Sequence, residues 1–508
     1  MLNLNKNYKF IIFGFFLFVL IYGILLFRDF GIFWDYSSNR EYALQTWDYM
    51  FHDKPYSARF ANEHARTHGP FIVVAFLGIE KLFQLNDSRI IYFMCSLLTF
   101  LVFYIGLIFF YFLAEKIFHK WWPALISCLI LVVSPRIFSD AFYNSMDIPF
   151  LSMSIISFYT LLLLLEKKTI RSAILHAIAS ALLISTRNIG VFTAFITIVS
   201  VLFSANESRG KKFIILAVYF IPLALFIYVL WPYLWPSPIV NFFKSFLLSI
   251  QHTFKGSVLY WGQVLPARNL PWHYNFIWIG ITLPILYSLL FVVGLFRIAL
   301  HLIRGKQSVF ESKYIILAFI FLAVPLVMPI VLKSALWNGW RHHYFIYPYF
   351  VLIAVYGLEL LTNVIKKPFL LFMLIGVLVF SFAETAINMV GLHPYGAYYF
   401  NSLAGNNIRN KFDLDIWGIS YRAGLEYILT HDQREKISIS IATGPGAYYL
   451  TVLRKEDRDR FILIPIKQFP DYVLTIHRHL ELMEREYPNE VFFVKAGNEK
   501  IMSVFKLK

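Results

Sequence analysis

Charge is scarce in this chain. Only 15% of its 508 residues are Asp, Glu, Lys or Arg, against about 25% in an ordinary soluble domain. So little charge cannot coat a water-facing surface around a chain that is 58% hydrophobic and 19% aromatic. A string of soluble domains, the usual reading of such a length, is excluded. Acid is the scarcer sign, with 30 Asp and Glu against 46 Lys and Arg and a formal net charge of +16. Nucleic-acid binders gather their cations on one wet face, whereas here they are scattered through short gaps between apolar runs, as membrane-surface anchors are. Nucleic acid is therefore set aside as a partner. Cysteine is nearly absent: Cys95 and Cys128 both sit in apolar runs without CxxC spacing, which excludes a disulfide framework or zinc site and leaves packed thiols. There is no internal repeat, low-complexity tract, P-loop, GxGxxG or HExxH.

What the chain has instead is apolar runs. The first, about 10–27, follows Lys6 and Lys9 and has no small-residue cleavage site behind it, so it reads as an uncleaved span with its lysines inside. Others lie near 89–115, 121–137, 149–165, 172–186, 190–204, 213–231, 273–296, 314–332, 343–362 and 369–389. Several fall short of the roughly 20 residues a perpendicular helix needs. Basic connectors at 116–120, 167–171, 209–212, 297–306 and 366–367 share one side only if the run at 71–85, which contains Glu80 and Lys81, does not cross. The expectation is an all-α polytopic membrane protein of about 11 transmembrane helices, N-terminus inside and C-terminus outside. Three outer features are then large: a first loop at 28–88, a connector at 231–272, and a tail. The tail has soluble α/β texture: a helix near 419–430, β-like runs at 437–441, 461–464, 491–494 and 501–505, and a charged helix near 475–487. The chain divides as a transmembrane domain over 1–400 and a small outer α/β domain over 401–508.

The polar residues hardest to explain as decoration fall on the outer side. Asp35 follows Gly31-Ile32-Phe33-Trp34; it either caps a helix beginning at Tyr36 or serves as a general base at the mouth of a lipid-facing cavity. In the tight loop between Pro135 and Pro149, Arg136, Asn144 and Asp147 bring a cation, an amide and a carboxylate together. Asp147 reads as an N-cap, or as a metal ligand or acceptor-orienting carboxylate. Outer connectors should be poor in cations, yet Arg136, Arg187, His273, Arg341, His342 and His343 recur there. Arginine binds phosphate oxygens bidentately and keeps its charge at low dielectric, so the pattern argues for a phosphate-bearing lipid. His176 and Glu115 read as packed residues near inner span ends, and Glu384 is an intramembrane acid, a functional candidate by position.

The blocks Gly31 to Asp35, Ser134 to Phe138 leading to Asn144 to Pro149, Leu270 to Tyr274, Asn338 to His342, and His393 to Tyr395 leading to Tyr399 to Asn401 come in a characteristic order. Together they resemble the bacterial branch of the dolichyl-phosphate-mannose–protein mannosyltransferase family. That family lies in the GT-C superfamily of polyprenyl-phosphate-sugar-dependent glycosyltransferases, with the aminoarabinose–lipid A transferases. The resemblance runs over about 28–420. It implies a GT-C fold whose first outer loop carries interfacial helices and a catalytic aspartate, Asp35 here, with Asp147 as the second-loop acid. Relatives typically follow that aspartate with another acid; this chain has Tyr36, and Glu41 is the substitute one or two turns on.

The expected function is an integral-membrane inverting glycosyltransferase of hexosyl or mannosyl type in a bacterial inner membrane. It moves a sugar from a polyprenyl-phosphate donor to an acceptor hydroxyl on a protein or an envelope glycolipid at the outer face. Asp35 and Asp147 are the expected catalytic pair. Arg136, Arg187, His273, Arg341 and His342 are expected to hold the donor phosphate, and Asn144 and Glu41 the substrate. A divalent metal ion is left open. The rival readings are a transporter or flippase, and a non-catalytic binder of lipid-linked sugars.

Overall fold

A computed structural model describes residues 8–56, 68–204, 207–250, 256–305, 307–308, 312–337, 339–415, 417–444, 446–476, 484 and 486–508. Among these, eight helices are long and apolar enough to cross a membrane: Tyr8–Leu26 (α1), Ser88–Phe118, Asp147–Lys167, Arg209–Leu230, Ile285–Ile303, Lys313–Leu332, Arg341–Val364 and Pro368–Leu392. The chain is a multi-pass membrane protein. Three shorter apolar helices, Trp121–Val132, Ile170–Ile184 and Asn188–Leu202, fill the remaining runs. The run at 71–85 forms the 12-residue helix Phe71–Leu82, about 18 Å long and too short to cross.

Two runs differ from the sequence reading because of proline. The stretch 121–137 stops being one helix at Val132, and Pro135 opens a separate short helix, Pro135–Asp140. The stretch 273–296 divides into Tyr274–Thr282 and Ile285–Ile303, with Leu283 extended before Pro284. A residue ahead of proline is pushed out of the helical region.

The ends of the bundle are chemically distinct. At one end Glu359 accepts from Lys120 (2.8 Å) and Arg297 (3.1 Å), Lys116 meets Glu166, and Lys168 reaches Glu207 (3.4 Å). Cations of three of the five basic connectors are thus paired with carboxylates at this end. The opposite end carries Tyr36–Phe51 (α2) and Phe71–Leu82 (α3), clamped by a two-pronged Arg40–Glu80 pair whose second contact is 2.8 Å. The tail sits on that same end: Arg422 donates to the carbonyl of Phe30 (3.0 Å), and Ser88 Oγ to that of Thr451 (3.0 Å).

The tail folds as a five-stranded sheet in the order Phe461–Leu463 (β4), Ile437–Ile441 (β3), Tyr472–Ile476 (β5), Glu499–Lys506 (β7) and Glu490–Ala496 (β6). β3 runs parallel to β4 and β5, and β7 antiparallel to β5 and β6. The helix Tyr421–His431 packs on it. Two elements were missed in sequence. Residues 472–476, whose last two overlap the expected charged helix at 475–487, form a fully buried central strand, which reads as a continuous apolar run rather than an alternation; residues 477–483 and 485 lie outside the described residues. The connector 231–272 holds an antiparallel hairpin, Ser257–Tyr260 (β1) with Gln263–Pro266 (β2).

Candidate active site

Asp35 is held by its own neighbourhood. Phe30, Ile32 and Phe33 are buried, and the carbonyl of Gly31 accepts from Tyr92 (2.5 Å) on the helix Ser88–Phe118. Glycine is required at 31 because a Cβ there would lie 2.0 Å from the Ile419 carbonyl oxygen of the tail. Replacing Gly31 with valine is expected to part the two segments, costing about 1–3 kcal/mol as overpacking does. A thermal melt of the purified protein reads this directly, and an unchanged melt would mean that the tail is not seated on residues 30–33.

Asp35 stands at the N-terminal end of α2, but its carboxylate makes no capping bond. Arg341 Nη1 donates to Asp35 Oδ2 at 3.2 Å and to Asp147 Oδ2 at 3.3 Å. Arg187 pairs with the other oxygen of Asp147. Asp147 lies in the first turn of its helix, where the capping contact is supplied by Asn144, whose Oδ1 accepts from the Asp147 N–H (2.9 Å). The Asn144 amide then donates to Asp147 (3.0 Å) and Asp140 (3.1 Å). The quartet Asp35, Arg341, Asp147 and Arg187 is graded in access: side chains are 35%, 8%, 2% and 26% exposed, respectively. Asp35 is the open member, and Asp147 is buried.

Arg136 comes at the same space from another side. Its Nε donates to the Tyr399 carbonyl (3.1 Å), and its guanidinium lies 4.7 Å from the Phe400 ring centroid and 5.3 Å from that of Trp278. Arg136, Arg341, Asp140, Trp278, Asp415 and Trp417 line a small cavity of about 30 Å³, room for a water molecule or a single oxygen-bearing group. Arg341 rests on the Trp417 indole, 3.9 Å from guanidinium carbon to ring centroid.

Several donors here lack acceptors. Among the described residues, Nε of Arg187, Nε of Arg341 and Nε1 of Trp278 are buried with no hydrogen-bond partner. A buried unsatisfied donor costs about 1–3 kcal/mol, and such a group needs an explanation. Arg341 and Trp278 line the small cavity, and Arg187 joins them through Asp147; N–H groups of this kind, two of them cationic, suit an anionic oxygen-rich ligand.

Two buried carboxylates beside the arginines hold their protons more tightly than usual. Burial pushes Asp140 up to about 6, against hydrogen bonds from Tyr143 and Asn144. Burial likewise pushes Asp415 up to about 6, against bonds from Ser420 and Tyr398. A carboxyl group whose folded pKa is raised binds more protons folded than unfolded, so its effect on stability is a loss as pH rises from about 4 to about 6. Asp140→Asn is expected to flatten that part of the stability–pH profile. Thermal melts between pH 4 and 7 measure it, and an unchanged slope would remove Asp140 as its source.

Not every expected residue joins the cluster. Glu41 is exposed and accepts from Gln45 (3.0 Å), one turn along its own helix, so it does not stand in for the acid missing at Tyr36. His273 binds Tyr260 of β1 (2.8 Å), and His342 packs against Trp337, ring centroids 4.5 Å apart. His343 is instead the buried histidine, 3.4 Å from Asn275. On a 3-10 turn over 341–346, residues 341 and 342 diverge by roughly a third of a turn. Asn338 lies outside the described residues. Asp140, Trp278, Asp415 and Trp417 were not assigned a role from the sequence, since lone Trp and Asp residues have no spacing signal. As for a metal ion, the position between Asp35 and Asp147 is filled by a guanidinium nitrogen, and no group of three His, Cys, Asp or Glu among the described residues is arranged to hold one. The pair as built does not fit a metal.

Residues 68–231 match the dolichyl-phosphate-mannose-protein mannosyltransferase family, in agreement with the resemblance read from the sequence blocks. No curated protein matches the chain in sequence. Among solved structures, the chain is similar to ArnT from Cupriavidus metallidurans in its apo state, at 11% identity and a TM-score of 0.52, with 98% of each chain covered. It is also similar to the archaeal oligosaccharyltransferase AglB from Archaeoglobus fulgidus, solved with an inhibitory peptide and a dolichol-phosphate. That match has 11% identity and a TM-score of 0.53, and covers 94% of this chain and 71% of that one. The chain thus shares the GT-C fold.

Proposed function

We propose that the protein is a membrane glycosyltransferase that takes a sugar from a polyprenyl-phosphate donor and passes it to an acceptor hydroxyl by a single inverting displacement. The observation that carries this reading is the cluster itself: a half-open Asp35 tied through Arg341 to buried Asp147, beside three buried N–H donors that lack acceptors. The family matched by residues 68–231 and the dolichol-phosphate bound to AglB support it.

In this reading the donor phosphate takes the unpaired N–H groups of Arg187, Arg341 and Trp278, with Arg136 opposite. The acceptor hydroxyl gives its proton to Asp35 as its oxygen attacks the anomeric carbon. The bond from that carbon to the phosphate oxygen breaks, and polyprenyl phosphate leaves with the additional negative charge. The arginines are fixed by Asp147, Trp417 and the Tyr399 carbonyl before the reaction starts, so they stabilise the departing phosphate without reorganising. The outer face of a bacterial inner membrane is the proposed location, with residues 401–508 as an outer domain.

The test is mass spectrometry of lipids co-purifying with the wild type and with Asp35→Asn. A polyprenyl-phosphate sugar enriched on the variant is the expected result. Bulk phospholipid alone on both, after incubation with donor-rich membrane extract, would sink the proposal.

A further inference from the structure

A second cavity, far larger than the one at the arginine site, lies elsewhere in the molecule. It has a volume of about 950 Å³ and lies where the helix Pro368–Leu392 meets the helix Ile285–Ile303 and the tail. It shares Tyr398 with the small cavity described above. Its polar wall is made by Glu384, Asn388, Asn406, Asn407, Asn498 and Glu499. Among the described residues lining it there is no Lys, Arg or His. The two cavities therefore differ in what they offer a ligand: guanidinium groups line the small one and none lines the large one.

The wall between them has two faces. The Tyr399 carbonyl and Phe400 ring hold Arg136, while both residues also line the large cavity. The Tyr399 phenol is pushed up to about 12 by burial and by the nearby Glu384 charge. Glu384 is exposed and accepts a long contact, 3.5 Å, from the Asn388 amide one turn along its own helix. It lies eight residues before the helix end at Leu392, about 12 Å along the axis. A carboxylate at that depth is costly without a use. The cavity also opens to the apolar phase, because Leu289, Val377 and Ile387 line it and are 59%, 50% and 71% exposed.

We infer that this cavity is a second lipid site, taking an uncharged, hydroxyl-rich head group such as the sugar of a neutral membrane glycolipid. Two carboxylates with no cation in the lining disfavour a phosphate in this cavity, which has no guanidinium to pair with it. Four asparagine amides offer donors and acceptors together, as sugar hydroxyls do, whereas an ammonium head group offers donors alone. The acyl chains would leave between the two helices, past the exposed aliphatic residues.

The experiment uses the full chain in nanodiscs made from equal parts of diglucosyl diacylglycerol, phosphatidylethanolamine and phosphatidylglycerol, with retained lipid counted by mass spectrometry. Wild type is expected to retain the glycolipid preferentially. Glu384→Leu should cut that preference by about tenfold, the scale of losing a hydrogen bond to a charged group, and Asn498→Leu, on the tail side, by about threefold to tenfold, the scale of losing a neutral one. Both variants are first checked for an unchanged melt, so that either one alone can decide. Retention of phosphatidylglycerol or phosphatidylethanolamine at or above the glycolipid overturns the inference, as does a preference that both variants leave intact. Arg341→Lys, once its melt is shown to be unchanged, separates this from the proposed activity: it should weaken polyprenyl phosphate and keep the glycolipid.

Discussion

Asp35→Asn is expected to lower sugar transfer by about 10²–10⁴-fold, the range for a positioned general base, while donor binding stays within a few-fold of wild type. Asparagine preserves the shape and still offers Arg341 an acceptor oxygen at the 3.2 Å contact, but it cannot take the acceptor's proton. The loss therefore belongs in the rate of the chemical step. Of the two aspartates, Asp35 is 35% exposed and Asp147 2%, so Asp35 is the carboxylate a substrate hydroxyl can reach. A single-turnover assay in liposomes loaded with lipid-linked sugar separates the rate from binding. If the variant transfers at the wild-type rate, Asp35 is a structural residue and the non-catalytic reading returns.

Arg341→Lys should be nearly as damaging, and differently. Lysine keeps the charge but loses the planar fork, and the wild-type guanidinium has three tasks: it bridges Asp35 and Asp147, stacks on Trp417, and carries an unpaired Nε–H. Removing one preorganised donor of a developing anion costs about 10²–10³-fold in rate. Donor affinity should fall as well, since the same N–H groups meet the phosphate before and after departure. Arg341→Ala adds a folding penalty: with the bridge gone, Asp147 keeps only Arg187 and Asn144, and breaking a buried charge pair costs about 3–5 kcal/mol. Comparing donor binding and rate for the lysine variant checks this. Wild-type values for both would show that Arg341 is a strut for Asp35 and does not meet the phosphate.

Much of the molecule was readable in one dimension because its signals are local or compositional. Apolar runs located the helices, since in lipid every backbone polar group must be satisfied within its own segment. The short length of the run at 71–85, together with its Glu80 and Lys81, marked it as unable to cross, and the structure shows why that matters. Glu80 is the partner of Arg40 and so braces the helix that Asp35 begins. Arginines at connectors that should lack them pointed to Arg136, Arg187 and Arg341 for the same reason, since a buried or interfacial guanidinium needs an anion.

What the sequence could not decide is which polar groups meet. His342 and His343 are adjacent, and only the 3-10 turn beneath them determines which one turns inward. Glu41 stands six residues from Asp35, a spacing that leaves its direction to the helix, and the helix turns it to solvent. Trp417 and Asp415 reach the arginines from a segment about 280 residues beyond Arg136 in the chain, a distance no local pattern spans. Composition and order alone specify a bundle of apolar helices with its useful cations at one end, because hydrophobic burial and charge placement act residue by residue. Only the tertiary structure decided that Arg341 would bridge two aspartates and leave its Nε–H unpaired, because shared hydrogen bonds and a closed, low-dielectric cavity exist only once distant segments have packed.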